Sequence, residues 1–241
     1  MNTLSWLYAN AVYLATIILV AIAADYGIGH VLRRITERRL RLRAHGKLVL
    51  TYDDGPYSIS NLEELLHLLS DFDAKATFFL LGWRADDQPN KCELIQSAGH
   101  IIGSHTQKHT SAWKSPFFFV IDMLRGAHAV EKYSREQRWF RPPFGKMNML
   151  GWLFAWASSL RPIFWTVDAR DAYFQHDSKC KSIEKVLDEV RQLGGAVVLL
   201  HDHHSEAKPE NSQRTLELTR KLLELAQKER LEVVTVEALY Q

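Results

Sequence analysis

No charged side chain occurs between Met1 and Ala24. A cleaved secretory leader opens on basic residues and carries a short apolar core. The stretch "LSWLYANAVYLATIILVAIAA" (4–24) has no basic start and is longer than such a core. About 20 apolar residues suffice to cross a bilayer, so the stretch reads as a retained membrane anchor. As a buried helix it would need a partner covering apolar surface on every side. Cysteine is almost missing: Cys92 and Cys180 lack metal-ligand spacing and are too few for a disulfide scaffold. They leave the redox compartment open. Net charge is only +2, too slight to point to a nucleic-acid partner. There is no G-x-S-x-G element, which disfavours a serine esterase. There is no glycine-rich phosphate loop, which argues against a dinucleotide-binding sheet. Internal repeats and low-complexity linkers are also missing.

What remains is an ordinary globular composition, 46% hydrophobic and 24% charged over 241 residues, enough for one sizeable domain. The anchor is followed by "RRITERRLRLRAHGK" (33–47), six arginines and one lysine against one glutamate. This run reads either as a solvated helical face or as a segment drawn to anionic headgroups, at roughly 1 kcal/mol per charge. We divide the chain into residues 1–45, anchor and basic segment, and 46–241, the globular domain.

From Gly46 onward, β-rich apolar runs alternate with helical patterns. Strands are predicted at 47–52, 75–81, 100–104, 138–140, 162–167, 196–200 and 231–236. Helices are predicted at 59–72, 182–193 and 211–229, the first from the spacing of Leu62, Leu65, Leu66 and Leu69. Such alternation implies a parallel sheet covered by helices, and about seven strands fit a closed or nearly closed barrel. Polar residues follow these strands: Asp53 and Asp54 the first, His105 the third, Arg141 the fourth, Asp168 and Asp171 the fifth, His201 and Asp202 the sixth. In a parallel barrel those ends share one face, where catalytic groups gather.

"LTYDDGP" (50–56) reads either as an Asp-Gly-Pro turn or as two carboxylates with divided labour, one holding a metal and one moving a proton. "SHTQKH" (104–109) sets His105 and His109 four apart. Alone the pair is weak among 11 histidines. With one carboxylate it makes a three-ligand set that leaves a coordination position open, as catalytic zinc sites do.

Taken together, "TYDDGP" (51–56), "HTQKH" (105–109), "RPPFG" (141–145), "DARD" (168–171) and "LLH" (199–201) resemble, in order and spacing, the motifs of the polysaccharide deacetylase family. These are the NodB-homology domains of carbohydrate esterase family 4. The resemblance runs from about Lys47 to the C-terminus. It implies an α/β fold, a distorted (β/α) barrel of about seven strands, here preceded by an N-terminal transmembrane helix. It also implies metal-dependent removal of an N-acyl group, usually acetyl, from an amino sugar. By the same resemblance Asp53 is the general base and Asp54, His105 and His109 hold one divalent cation, Zn2+ first, with Co2+, Ni2+ or Mn2+ as alternatives. Arg141 orients the base, and His201 is the general acid, oriented by Asp171. Phe144 stands where the family often has tyrosine, its backbone N–H serving the oxyanion, and Leu199 lines the acyl pocket. The sequence departs from the family pattern after Asp171, where Ala172 and then Tyr173 replace the usual tryptophan, so Tyr173 is taken as the substrate-side residue there. His204, in "LLHDHH", is expected to play no part in the metal set.

Two other classes share some of these features. A two-histidine, one-carboxylate iron oxygenase would use the same ligand types but leaves Asp53 and His201 unemployed. A non-catalytic sugar-binding relative would not need every polar position filled. "SPFFFVIDML" (115–124) and "MLGWLFAWASSL" (149–160) read as helices packed on the barrel or as aromatic-rich surfaces suited to a membrane interface. With the anchor, they point to an N-acylated amino sugar that is lipid-linked; a wall or capsule polymer is the alternative. Basic flanks are retained on the cytoplasmic side, so residues 33–47 predict a single-pass protein of the cell membrane with its catalytic domain on the cytoplasmic face.

Overall fold

The computed structural model describes residues 3–134, 137–173, 177–202 and 209–241; His204 lies outside these. In chain order the elements are α1 (Thr3–Arg43), β1 (Lys47–Asp53), α2 (Leu62–Asp71), β2 (Thr77–Leu80), α3 (Gly82–Asp87), α4 (Pro89–Ser97) and β3 (Ile101–Ser104). They continue with α5 (Pro116–Val130), β4 (Arg138–Phe140), α6 (Met149–Ala157), β5 (Leu160–Pro162) and β6 (Val167–Asp168). The last are α7 (Ile183–Leu193), β7 (Ala196–His201), α8 (Pro209–Glu229) and β8 (Glu232–Val233).

Every strand pairing is parallel, in the order β5-β4-β3-β2-β1-β7-β6. β8 pairs with Lys47 and Leu48, below the point where β2 joins β1 at Thr51. The seven strands curl into a barrel that stays open between β5 and β6. β1 and β7 are interior strands covered on both faces, which is why they read as near-continuous apolar runs. Leu48, Leu50 and Tyr52 join a buried cluster with α2, α7 and α8. Val49 points the other way, into a cluster with Leu40, Phe79, Phe119, Phe140 and Val197.

The run 162–167, expected as one strand, is two. Ile163 N still bonds the Phe140 carbonyl of β4, whereas Thr166 N bonds the Val197 carbonyl of β7, on the side of the sheet that ends in β6. Pro162 supplies no N–H, and the residues that follow cross the gap between the two edges of the sheet. Arg141 fills that gap, donating from Nε to the Ile163 carbonyl (3.4 Å) and from Nη2 to the Phe164 carbonyl (3.3 Å).

Helix ends follow local chemistry. Ser182 caps α7 by accepting from Lys185 N, and Gly194 ends it at φ 64°. Ser115 caps α5 ahead of Pro116, and Asn148 caps α6 by accepting from Gly151 N. α1 is unbroken over 41 residues, about 60 Å at helical rise. Its second half packs on the domain. Asp25 accepts from Asn148 Nδ2 and Leu150 N. Arg33 pairs with Glu37 and lies over the rings of Phe164 and Trp165. Arg43 lies 4.4 Å from the centroid of Tyr240. Gly29 is required where α1 meets the start of α6: a Cβ there would stand 2.3 Å from the Met147 carbonyl oxygen.

Candidate active site

β1 ends at Asp53, and the next residue turns. Asp54 has φ 75°, a left-handed conformation that aspartate tolerates better than most residues. The turn lets two adjacent carboxylates serve one site, which a continuing strand would place on opposite faces. Asp53 is buried; its Oδ1 accepts from Arg141 Nη1 at 2.8 Å, and the same nitrogen is 2.7 Å from Thr51 Oγ1. Arg141 is itself wholly buried, its guanidinium 4.3 Å from the centroid of Phe79. The loop that holds it by two carbonyls therefore also fixes the Asp53 carboxylate.

Asp54 Oδ1 is 3.5 Å from His105 Nε2 and 3.5 Å from His109 Nε2. The three ligand atoms lie within 4.8 Å of one another. Bonds of about 2.1 Å in a tetrahedron put donor atoms about 3.4 Å apart, so the spacing suits a small divalent cation. Asp54 Oδ1 is also buried without a hydrogen-bond partner among the described residues. An anionic oxygen so placed costs several kcal/mol unless a cation compensates it. Burial pushes the Asp54 carboxyl up, yet His105, His201, His109 and Arg84 outweigh it and hold the group below its ordinary value. Burial, then the neighbouring His105, push His109 down to about 4, leaving it neutral and able to donate a lone pair at pH 7. His105 Nδ1 faces the Arg141 carbonyl at 2.8 Å, which sets the ring so that Nε2 is the free lone pair. Two nitrogens and one oxygen fit zinc and its neighbours in the first transition row.

On the other side stands His201, at the end of β7. Its Nδ1 is 2.7 Å from Asp171 Oδ1. Burial would lower its pKa, but Asp171, by charge and hydrogen bond, and then Asp54 and Asp53 raise it to about 10. Asp171 is fully buried and accepts from His201 N and Thr215 Oγ1, while Asn211 Nδ2 donates to its backbone carbonyl. Phe144 has φ 58° and stands with its ring 4.6 Å from that of His109. Leu199 is buried in β7, in register with Thr51 and Asp168. Tyr173 is half exposed; its ring is 5.6 Å from Lys179 Nζ and its carbonyl accepts from Asn211.

Three contributors escaped the sequence reading. Asn211 and Thr215, on α8, hold Asp171. Asp122, on α5, holds the histidine loop: its carboxylate accepts from Lys108 N (3.0 and 3.1 Å) and Thr110 N (3.0 Å), the residues on either side of His109. Gly126 lets α5 come this close, since a Cβ there would stand 2.1 Å from the Thr106 carbonyl carbon. The one signal available was a carboxylate inside the apolar run "PFFFVIDML".

Comparison with known proteins follows the geometry. The family model described as polysaccharide deacetylase matches residues 43–153, which include Asp53, Asp54, His105, His109, Arg141 and Phe144. A peptidoglycan-N-acetylglucosamine deacetylase of Bacillus cereus is 31% identical over 160 residues, 64% of this chain and 72% of that protein. A chitooligosaccharide deacetylase of Azorhizobium caulinodans is 30% identical over 158 residues, 64% of this chain and 73% of that protein. A family 4 carbohydrate esterase from Streptomyces lividans, solved with acetate, shares the fold with a TM-score of 0.67 at 23% identity, covering 82% of this chain and 96% of that one.

Proposed function

Since the chain belongs to the polysaccharide deacetylase family, we propose that it is a metal-dependent hydrolase that removes an N-acetyl group from an amino sugar at the membrane. The observation that carries this reading is the buried, unpaired Asp54 Oδ1 facing two imidazole nitrogens at 3.5 Å, between an arginine-held carboxylate and a carboxylate-held histidine.

Asp54, His105 and His109 would hold the cation, zinc first. When bound, such an ion polarises a carbonyl oxygen and lowers the pKa of water toward 7. Asp53 takes the proton from the attacking water; Arg141 keeps its carboxylate aimed. The backbone N–H of Phe144 meets the developing oxyanion, and Leu199 forms the floor against the acyl methyl. His201, protonated at neutral pH, delivers its proton to the departing amine nitrogen while Asp171 holds the imidazolium in place. Acetate and a free amino sugar result. Tyr173 stands in for the wall that tryptophan forms in many relatives; the small Ala172 leaves that side of the pocket wider.

α1 is read as the membrane anchor, with residues 1–45 as anchor and basic segment and 46–241 as the catalytic domain. The basic flank favours the cytoplasmic face and a lipid-linked amino sugar as substrate. The relatives named for peptidoglycan and chitooligosaccharide make a wall polymer the competing substrate. The full chain, stripped by chelator and reloaded with zinc, should release acetate from lipid-linked N-acetylamino sugars only when loaded. Equal turnover in the stripped protein would refute the metal reading. Turnover confined to wall polymer would replace the lipid-linked substrate.

A further inference from the structure

The contacts along α1 measure depth from the end of its apolar half. Asp25 is the first charged side chain after that half and bonds Leu150 N at the start of α6. Next to it, the Tyr26 hydroxyl donates to the Ala112 carbonyl, and its ring meets Trp113 edge-on with centroids 5.8 Å apart. Eight residues beyond Asp25, about 12 Å at helical rise, Arg33 Nη1 reaches the Gly145 carbonyl at 2.6 Å. Gly145 adjoins Phe144, whose ring meets that of His109 edge-on. At its far end α1 turns at Ala44–Gly46 into β1, and Leu40 shares a buried cluster with Val49. β1 therefore runs back along α1, and the C-terminal ends of the parallel strands, with the candidate site, face the apolar half of the helix.

The rim on that side is apolar. Trp113 is 58% exposed, Phe117 74% and Phe118 69%, and Met149 at the start of α6 is 42% exposed. Phe117 and Phe118 open α5, the end of that helix nearest the strand ends. Residues 110–119 contain one lysine, Lys114, and no carboxylate, while Lys146 Nζ stands 4.5 Å from the centroid of Trp113. Exposed rings mixed with lysines and free of acids are the signature of a surface at the headgroup level.

We infer that Trp113, Phe117, Phe118 and Met149 seat in the bilayer surface beside α1, so that the site opens onto the membrane. The inference rests on the anchor reading above and adds a second point of contact to it. A rim seated there admits an amino sugar carried close to the lipid surface by its own lipid link.

The test uses the full chain in a Cys180→Ser background, Cys92 being buried. Single cysteines at Ile17→Cys, Phe117→Cys and Lys228→Cys carry an environment-sensitive fluorophore. The protein is placed in nanodiscs of three parts phosphatidylethanolamine to one part phosphatidylglycerol, with or without spin-labelled lipid. Labels at 17 and 117 should be quenched several-fold more than the label at 228, at the opposite end of the barrel. Quenching at 17 with none at 117 would overturn the rim and leave the anchor standing; quenching at neither would remove both. Cross-linking between Phe117→Cys copies in place of lipid quenching would give the surface to a second copy of the chain and also overturn the inference. In a second arm, Phe117→Asp with Phe118→Asp should lower kcat/KM at least tenfold on a substrate embedded in those nanodiscs and leave a water-soluble chitooligosaccharide unaffected. Equal effects on both substrates would refute it.

Discussion

Replacing Asp122 separates the candidate metal set from the loop that carries it. The carboxylate is buried on α5 and accepts the backbone N–H groups of Lys108 and Thr110, on either side of His109. His109 sits between them at φ 61°, a left-handed conformation that is uncommon outside glycine. Asp122→Ala leaves two partly buried N–H groups without their acceptor, at no more than about 1–3 kcal/mol each. Asp122→Asn keeps one accepting oxygen but turns an NH2 toward the other amide and loses the charge, for about 1–3 kcal/mol. At about 2–4 °C per kcal/mol for a domain of this size, the asparagine variant should melt about 2–12 °C lower. The sharper consequence concerns the cation. A loop no longer clamped on both sides of His109 should bind zinc about 10–100-fold more weakly, read by competition with a chromophoric chelator. Because no reacting group is removed, saturating zinc should restore kcat to near the wild-type value. Wild-type zinc affinity in a variant with lowered Tm would confine Asp122 to a structural role. Unchanged affinity and unchanged Tm would refute the accounting of the loop altogether.

Three further outcomes follow from the same geometry. Asp53→Asn should keep stoichiometric metal and lose about 10²–10⁴-fold in kcat, whereas Asp54→Asn should chiefly lose metal affinity; rescue of Asp53→Asn by excess metal would reverse the two roles. His201 has a folded pKa near 10, above its ordinary 6.5. Its pairing with Asp171 therefore stabilises the metal-free protein fully below pH 6.5 and is lost as pH rises through 10. His201→Gln should flatten that decline in Tm and abolish the basic limb of the pH–rate profile, and a wild-type decline in the variant would refute the pairing. For orientation, fusions after Gln241 should give a fluorescent cytosolic reporter and an inactive periplasm-dependent phosphatase; strong phosphatase activity would place the domain outside and favour a wall polymer.

The residues of the candidate site stood out because they sit beside one another in the sequence or close strands: two aspartates after an apolar run, histidines four apart, an arginine before Pro-Pro, a histidine after "VVLL". Short range order of that kind survives in the chain itself. The parallel sheet was legible for the same reason, since hydrophobic alternation and helix spacing are local properties. What the chain could not show were partnerships set by topology. Asp122 reaches the amides around His109 from the next helix, and Asn211 and Thr215 reach Asp171 from forty residues away. Within the run 162–167 only Pro162 hints at a break, and the crossing from one side of the sheet to the other is set by the carbonyls of Phe140 and Val197. The depth of the site along α1 is likewise a tertiary fact. It depends on Asp25, Tyr26 and Arg33 meeting Leu150, Ala112 and Gly145 across more than eighty residues of chain, and only the folded packing of a long helix against the ends of parallel strands brings them together.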